Sequence, residues 1–434
     1  MYNFCILFPV FNAEHPTFTV RGMKDNKLPL IIILGLLSAI GPFSIDMYLP
    51  GFPAIAAHLH TTVAHVSLSL SAFFIGISVG QLLYGPLLDR FGRKKPLYVG
   101  LTLYLLASIG CALAPSADTL IALRLLQALG GCVGMVAARA IVRDLFAVGD
   151  NAKVFSLLML VVGVSPLLAP TLGGYITAAF GWQYIFVVLA VISAGILIAV
   201  HYRLPDSRQP DKSVSLKPKP ITIGFWRVFK EPQFFTYTFT GALASSGLHA
   251  YIAGSPSVFM ELFKVSERQY GWIFALLGMG LIGASQLNSV LLRTFKSEEI
   301  IKWALMCQAV TGILLFTATA LGWLELFSTI FFIFIFLCCQ GFIFPNASAL
   351  SLAPFARNAG TASALLGGIQ MSMGAFTSAT VSFLSNHTAM PMTGVMACCA
   401  LTSISVLTLG SRYIRYRASI KAVEEQTAEM ISNS

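Results

Sequence analysis

The chain has 434 residues, of which 56% are hydrophobic and only 11% are charged, and its mean hydropathy is +0.78. Because a soluble domain carries about 25% charged residues, this composition excludes a water-soluble fold and predicts lipid as the main solvent. The net charge of +10 would suit a nucleic-acid-binding protein, but Lys and Arg fall on alternate loops, which indicates a role in orienting the chain and no nucleic-acid partner.

Long apolar runs without strand-like alternation predict membrane-spanning helices, because a span needs about 20 apolar residues. In lipid, every backbone polar group must also be satisfied within helices or closed barrels. The predicted fold class is an all-α integral membrane protein with twelve transmembrane helices, at 29–53, 66–88, 96–114, 118–141, 154–178, 183–203, 233–254, 268–292, 299–321, 325–350, 358–384 and 390–412.

A polar stretch rich in Pro, Lys and Arg divides these helices into six plus six. The basic loops lie on one side, so both termini are predicted to be cytoplasmic. The predicted domains are a cytoplasmic N-terminal segment, a six-helix bundle, a cytoplasmic linker, a second six-helix bundle and a cytoplasmic tail, at 1–28, 29–203, 204–232, 233–412 and 413–434.

The first predicted helix ends in SIDMYLPGFP, which carries one carboxylate, Asp46. A charge inside a bilayer costs at least ~2.5–3.5 kcal/mol. Asp46 therefore has a partner, is protonated, or performs a function. Pro50 and Pro53 are expected to loosen the helix just beyond the acid.

The loop after the second predicted helix reads GPLLDRFGRKKPL, residues 85–97. Gly85 is expected to let two helices approach closely, and Gly92 to permit a tight turn. Asp89 can pair with the basic residues or cap the next helix. The loop could act only as a turn that sets the topology, since its basic residues hold it in the cytoplasm; these are Arg90, Arg93, Lys94 and Lys95.

The fourth predicted helix carries a buried-looking cation, Arg124, with Gln127 on the same face. At ~1.5 Å per residue, Arg124 lies ~9 Å from the outer end of its helix, and Asp46 lies ~25 Å along a core of ~30 Å. These depths agree, so Asp46 is expected to be ionised when it pairs with Arg124 or meets water, and protonated when it is desolvated and unpaired. The alternative is an Arg that extends outward to the membrane surface.

The fifth predicted helix contains GVSPLLAPTLGGYI, residues 163–176. Its prolines predict a kink, and its glycines predict close packing. A pliable packing helix without a further role would show the same pattern. The motif residues are Gly163, Pro166, Pro170, Gly173 and Gly174.

An internal repeat relates the two halves, since a shift of 203 residues lays DMYLPGFP over HAYIAGSP. The shift places Asp46 on His249 and Tyr48 on Tyr251. Two such halves predict a substrate site at their interface. His249 could bind substrate, carry a proton or only join two helices. The predicted cavity residues are Tyr48, Gln127, His249, Tyr251, Gln286, Gln340, Asn346 and Gln370.

These motifs resemble a known family. The loop pattern G-x-x-x-D-R-x-G-R-K-K is similar to a signature of the major facilitator superfamily, as is R-x-x-Q at Arg124, although Ala128 replaces the usual glycine. The helix-5 motif resembles the signature that separates exporters from importers, with Ala169 in place of its second glycine. Together with DMYLP-x-x-P, ARAIVRDLF (138–146), SP (255–256) and GTASALLGGIQ (360–370), the chain resembles the bicyclomycin/chloramphenicol-resistance (Bcr/CflA) group.

The resemblance implies proton-coupled efflux of drugs or other small amphipathic molecules across the bacterial inner membrane by alternating access. Asp46 would exchange a proton for substrate, Arg124 would stabilise its carboxylate, and the loop at 85–95 would latch the outward-open form. The implied partners are a small-molecule substrate, protons and membrane lipid, with a monomeric chain. The proton gradient would replace any cofactor or metal.

Two alternatives stay open: a proton-coupled importer of a nutrient or siderophore, and a non-transporting sensor or scaffold. An ATP-driven pump is not supported, because the sequence has no G-x-x-x-x-G-K-[ST] motif. No catalytic Ser/His/Asp or Cys/His arrangement stands out, and an enzyme is not predicted.

Overall fold

A computed structural model of the chain describes residues 28–146, 148–207, 209–212, 216–355 and 359–432. Within these ranges the structure contains helices and no β-strand. The helices are α1 (Leu28–Asp46), α2 (Phe52–His58), α3 (Val63–Phe91), α4 (Lys94–Ala112), α5 (Ala117–Leu145), α6 (Val148–Phe180), α7 (Gln183–Arg203), α8 (Pro218–Phe229), α9 (Pro232–Pro256), α10 (Glu267–Leu291), α11 (Ser297–Ala320), α12 (Leu326–Leu352), α13 (Ala359–Phe383) and α14 (Met390–Ser432).

The prediction of twelve membrane helices is confirmed in the described ranges. α1 and α2 together form the first, α3 to α7 the next five, and α9 to α14 the last six. Ten of them are long and apolar enough to cross a membrane by length and composition. α9 and α13 are the other two. Their polar residues are largely buried inside the protein, so these helices do not need an apolar surface.

The helix ends differ from the predicted ones where charge stops the apolar run but not the helix. α14 continues through the predicted tail to Ser432 instead of ending near residue 412. α6 begins at Val148, within a predicted basic loop. The predicted linker contains the amphipathic helix α8. Charged residues mark where lipid ends, and a helix can continue into water beyond them. The predicted N-terminal segment lies outside the described residues, apart from Leu28.

The first membrane helix breaks directly after the acid. α1 ends at Asp46, a 3₁₀ turn follows at Leu49–Gly51, and α2 begins at Phe52. Pro50 has no N–H to continue the helix, and the Gly51 N–H donates to the Tyr48 carbonyl (3.1 Å). The predicted loosening beyond Asp46 is confirmed, and it places the carboxylate at a helix end.

The membrane helices pack as two groups, α1 to α7 and α9 to α14, and the most extensive contacts between the groups are α3 with α13 and α6 with α10. We call the end of the bundle with the α3–α4, α5–α6 and α10–α11 connections the basic end, because Arg90, Arg143 and Arg293 lie there. The opposite end is called the far end.

The two groups are in contact near the far end and separated at the basic end. Near the far end, the Ser67 hydroxyl of α3 donates to the Ala253 carbonyl of α9 (3.0 Å). Gly174 of α6 packs against the Glu267 backbone of α10. At the basic end, a cavity of about 690 Å³ lies between α3 and α5 on one side and α8 and α13 on the other. The structure is therefore closed at the far end.

The glycines of the motif at 163–176, which lies on α6, differ in how closely they are packed. A Cβ at Gly174 would lie 2.6 Å from the Glu267 carbonyl oxygen, and one at Gly173 would overlap the Met47 backbone. A Cβ at Gly163 would meet only Ile282, at 4.0 Å. Gly173 and Gly174 thus hold α6 against α1 and α10, as the sequence predicted, and Gly163 has no such role here.

We expect Gly174→Ala to open the far end, because overpacking against backbone costs ~1–3 kcal/mol. A cysteine introduced at Ser67 should react faster with an impermeant maleimide in this variant, and transport should slow. Gly163→Ala is the matched control and should leave both rates unchanged. Equal reactivity in the two variants would contradict the closing role of Gly174.

Candidate functional site

Arg124 is fully buried at the centre of the first group. Its Nη2 donates to the Ser44 carbonyl of α1 (2.8 Å), and its Nη1 donates to the Gln127 side-chain oxygen. The Gln127 amide nitrogen in turn donates to the Ser108 hydroxyl of α4 (2.7 Å). The guanidinium also lies 4.1 Å from the Phe73 ring centroid, a cation–π geometry. Arg124 does not extend to the membrane surface, so that alternative is wrong.

Asp46 lies two residues beyond the carbonyl that Arg124 binds, which confirms that the two side chains share one depth. Asp46 and Arg124 are unpaired in this structure, which is one of the two states that the sequence predicted. The Asp46 side chain is buried, with 6% of the residue exposed, and within the described ranges it has no hydrogen-bond or ion-pair partner. The reason is geometric: the guanidinium is occupied by Ser44 and Gln127, and Asp46 stands at the helix break.

Directly after Asp46, the 3₁₀ turn at Leu49–Gly51 packs against α9 and α10 of the second group. These two helices carry the buried phenols of Tyr251 and Tyr270. The Tyr270 hydroxyl is hydrogen-bonded to Ser255 (2.7 Å). The Tyr251 hydroxyl is buried without a described partner, and its ring stacks on Phe274 at 5.5 Å. Asp46 therefore lies next to the contact between the two groups.

The two tyrosines that the repeat aligns have different partners. Tyr48 is fully buried, and its hydroxyl is hydrogen-bonded to Ser69 (2.9 Å). Its ring lies 4.7 Å from the Arg124 guanidinium. Tyr48 thus belongs to the Arg124 cluster, whereas Tyr251 belongs to the surroundings of Asp46.

His249 is buried in α9, two residues before Tyr251 and therefore on a different face of the helix. Its Nδ1 lies 2.8 Å from the Ser245 carbonyl. Since a carbonyl only accepts, Nδ1 carries a proton and Nε2 is left to receive a further hydrogen bond. The ring stands edge-on to Phe74 of the first group at 4.7 Å. His249 therefore also lies at the interface between the groups.

The remaining cavity candidates are only partly assembled. Gln340 is buried beside His249, since its amide donates to the Ser245 hydroxyl, and Gln370 is buried in α13. Asn346 donates to Asn288 (2.6 Å) near the basic end. Gln286 is exposed on α10. The structure does not bring Asn346 or Gln286 to Asp46, because helix position alone says nothing about depth relative to another helix.

The loop at 85–97 is organised around Arg93. Its Nε donates to Asp144 of α5 (2.7 Å) and its Nη1 to Asp89 (2.9 Å). Burial lowers the pKa of the Arg93 guanidinium, but the hydrogen bonds and charges of Asp144 and Asp89 outweigh it and raise the pKa above the ordinary value. Gly92 has φ +78°, which confirms the predicted tight turn.

Gly85 does not have the predicted role. A Cβ at Gly85 would meet no atom within 4 Å, so this glycine does not bring two helices together. It lines the cavity at the basic end. Two other basic residues of the loop contact the linker: Arg90 donates to the Lys212 carbonyl (3.5 Å), and Lys94 lies 3.9 Å from Asp206.

Comparison with known proteins gives the family. A profile of the Major Facilitator Superfamily matches residues 34–379. The chain belongs to the Major Facilitator Superfamily. It is therefore a transporter and not an enzyme, and a multi-pass membrane protein of the bacterial inner membrane.

Relatives in this superfamily cover most of the chain. It is 33% identical to the uncharacterized MFS-type transporter YdgK of Bacillus subtilis (86% of this chain, 92% of the relative). It is 31% identical to a bicyclomycin resistance protein homolog of Haemophilus influenzae (88% and 96%). It is also 31% identical to the multidrug resistance protein MdtL of Escherichia coli (75% and 81%). These relatives confirm the resemblance to the bicyclomycin-resistance group.

Solved structures show the same fold. The D-xylose–proton symporter matches with a TM-score of 0.67 at 13% identity (87% of this chain, 96% of that chain). A bacterial homolog of the human lysosomal transporter Spinster, inward-facing and unoccupied, matches with a TM-score of 0.63 at 15% identity (90% and 97%). At these identities the likeness concerns the superfamily fold alone.

Sequence reasoning missed Tyr270 and Ser255, whose hydrogen bond joins α10 to α9, and Phe73 and Phe74 as neighbours of Arg124 and His249. For Tyr270, the internal repeat offered a signal, because the shift of 203 residues aligns Tyr270 with Ser67. Both residues bind α9: Tyr270 through Ser255, and Ser67 through the Ala253 carbonyl. Nothing in the local sequence marks the two phenylalanines.

In this superfamily member, we expect Asp89→Asn to slow transport while the protein still reaches the membrane. Arg93 would still bind Asp144, so the loop should stay folded. The variant lacks the Asp89 carboxylate, which is expected to latch the outward-open form. Transport rates at equal expression measure the effect, with Asp206→Asn as control because its pair with Lys94 is exposed and worth little. Full transport in Asp89→Asn would exclude the latch.

Proposed function

We propose that this protein is a proton-coupled exporter of drugs or other small amphipathic molecules that works by alternating access. The observation that carries the proposal is Asp46, the one buried carboxylate among the described residues, which lies next to the contact between the two helix groups. Ionisable residues inside membrane segments mark proton or substrate paths. The names of the bicyclomycin resistance homolog and of MdtL support export of drugs.

The proposed orientation places the basic end and both termini in the cytoplasm, following the positive-inside rule. The helix groups at 29–203 and 233–412 would rock as two bundles within a single chain, which is proposed to act as a monomer. Closure at the far end and the cavity at the basic end then correspond to a state open toward the cytoplasm.

In the proposed cycle, Asp46 takes a proton when the far end is open and loses it when water reaches it from the basic end. In the closed environment of Tyr251 and Tyr270, the carboxyl holds its proton, because a buried charge without a partner is costly. Arg124 fixes the α1 backbone next to the acid, and its positive charge favours the ionised form once the site is wet. Substrate occupies the site that the proton leaves.

The direction of transport tests the proposal. Expression in cells that lack their own exporters should lower the accumulation of at least one amphipathic dye, and a protonophore should abolish the difference. Accumulation that rises on expression in a gradient-dependent way would contradict export and indicate import. No change across a broad compound panel at verified expression would contradict drug efflux.

His249→Gln separates two roles for the histidine. An amide can keep the hydrogen bond to the Ser245 carbonyl and offer an acceptor, but it does not titrate near neutral pH. If His249 carries a proton, we expect the pH dependence of efflux to change in this variant while expression stays equal. An unchanged pH profile excludes the carrier role. Thr238→Val on the same helix, fully buried and away from the acid, serves as control.

A further inference from the structure

The helix motif ARAIVRDLF, residues 138–146, has a feature that the proton site does not explain. Arg139 and Arg143 stand four residues apart, so they share one face of α5. Both line the cavity at the basic end, and both are exposed to it. Like charges at this spacing repel each other and destabilise the helix, so the pair does not contribute to folding and indicates a role in binding.

Among the described residues, nothing neutralises either guanidinium. Within the described ranges, Arg139 and Arg143 have no hydrogen bond and no ion pair. The nearest acid in the same motif, Asp144, is bound by Arg93 and by the Ser207 hydroxyl. Asp89 also lines the cavity, and it too is bound by Arg93. The cavity therefore carries excess positive charge on the α5 wall.

The opposite wall has a different character. α8 contributes the apolar side chains of Ile221 and Phe225, and the first turn of α13 contributes the hydroxyls of Thr361 and Ser363. The volume of about 690 Å³ falls within the range of ~300–1,000 Å³ found for sites of drug-sized ligands. A molecule that fills this space meets two guanidiniums on one side and an apolar surface on the other.

We propose that Arg139 and Arg143 form a binding site for the acidic group, a carboxylate, sulfonate or phosphate, of an amphipathic molecule that enters from the basic end. Guanidiniums suit this task because their planar N–H groups bind oxyanions in pairs, and a cleft with low-dielectric walls strengthens the attraction. The acidic group belongs either to an exported molecule or to a phospholipid. The assignment to an exported molecule rests on the proposed export function, whereas the existence of the binding site does not.

The test measures binding to the purified full chain in neutral, lipid-free detergent. Radiolabelled naphthalene-2-carboxylate is the probe, and naphthalene-2-carboxamide is its uncharged match. In the double variant Arg139→Gln/Arg143→Gln, we expect carboxylate affinity to fall at least about tenfold, with carboxamide affinity unchanged. Arg227→Gln removes one charge from the exposed side of α8 and should change neither. Arg143→Lys, which keeps the charge, should retain part of the affinity.

Three results would overturn the site: no carboxylate binding to the wild type, equal carboxylate affinity in the double variant, or an equal loss for the carboxamide. Two further arms identify the source of the anion. If it is an exported molecule, the double variant loses efflux of the carboxylate but keeps efflux of a cationic dye. If it is a lipid headgroup, added phosphatidylglycerol competes with the carboxylate in the wild type, and carboxylate efflux does not depend on the arginines. Binding needs no transport, so failure of export leaves this result intact.

Discussion

Asp46→Asn is expected to abolish proton-driven efflux while the protein folds, reaches the membrane and still binds substrate. Asparagine has almost the shape of the protonated acid but cannot release a proton. Because Asp46 has no hydrogen-bond or ion-pair partner within the described ranges, replacing it removes no structural contact. Coupled transport should fall to the background of cells without the protein, and Asp46→Glu should keep part of it.

The direct measurement is substrate-induced proton release from purified protein in lightly buffered detergent. The wild type should release protons on substrate addition, and Asp46→Asn should release none. Asp118→Asn is the matched control, since it changes a carboxylate at the far end that pairs only with His65 in an exposed position. If Asp46→Asn releases protons as the wild type does, Asp46 is not the carrier.

Arg124→Lys is expected to destabilise the protein strongly even though it keeps the charge. A single ammonium cannot donate to the Ser44 carbonyl and to Gln127 while lying flat against Phe73. Losing two hydrogen bonds of a charged donor, at ~1.5–3 kcal/mol each, would cost about 3–6 kcal/mol, and about 2–5 kcal/mol if the ammonium replaces part of one bond. Efflux should fall with it, because the α1 segment next to Asp46 loses its anchor.

The measurement is the thermal denaturation midpoint of the purified protein, together with efflux at equal expression. Arg268→Lys provides the control: Arg268 also lies over an aromatic ring, Tyr175 at 5.3 Å, but it is exposed at the far end. This control should leave both readings near the wild type. A denaturation midpoint in Arg124→Lys equal to that of Arg268→Lys would show that the buried contacts of Arg124 contribute little.

The proposed proton site and the proposed anion site lie in different parts of the protein, so each can be changed without the other. Asp46 and its tyrosines lie where the helix groups touch, and the arginine pair lies where they are apart. A substrate entering from the basic end would meet Arg139 and Arg143 before it reached the proton site. Variants of the pair should therefore alter which compounds are exported, whereas variants of Asp46 should stop export of all of them.

The sequence by itself determined the solvent, the number of membrane helices, the break after Asp46 and the common depth of Asp46 and Arg124. Each depends on local quantities: hydropathy, the missing N–H of Pro50, and a rise of ~1.5 Å per residue. The polar helices α9 and α13 were also predicted, because even their mixed runs are long enough to span.

Only the tertiary structure decided which way the side chains at one depth turn. Arg124 binds the Ser44 carbonyl rather than the Asp46 carboxylate, Gly85 faces a cavity rather than a helix, and Tyr270 is hydrogen-bonded to Ser255 of α9. Helical periodicity tells which residues share a face, but the rotation of one helix about its axis relative to another depends on packing among many side chains. Partner choice at the Asp46 site is therefore a property of the packed helix groups and not of any one segment.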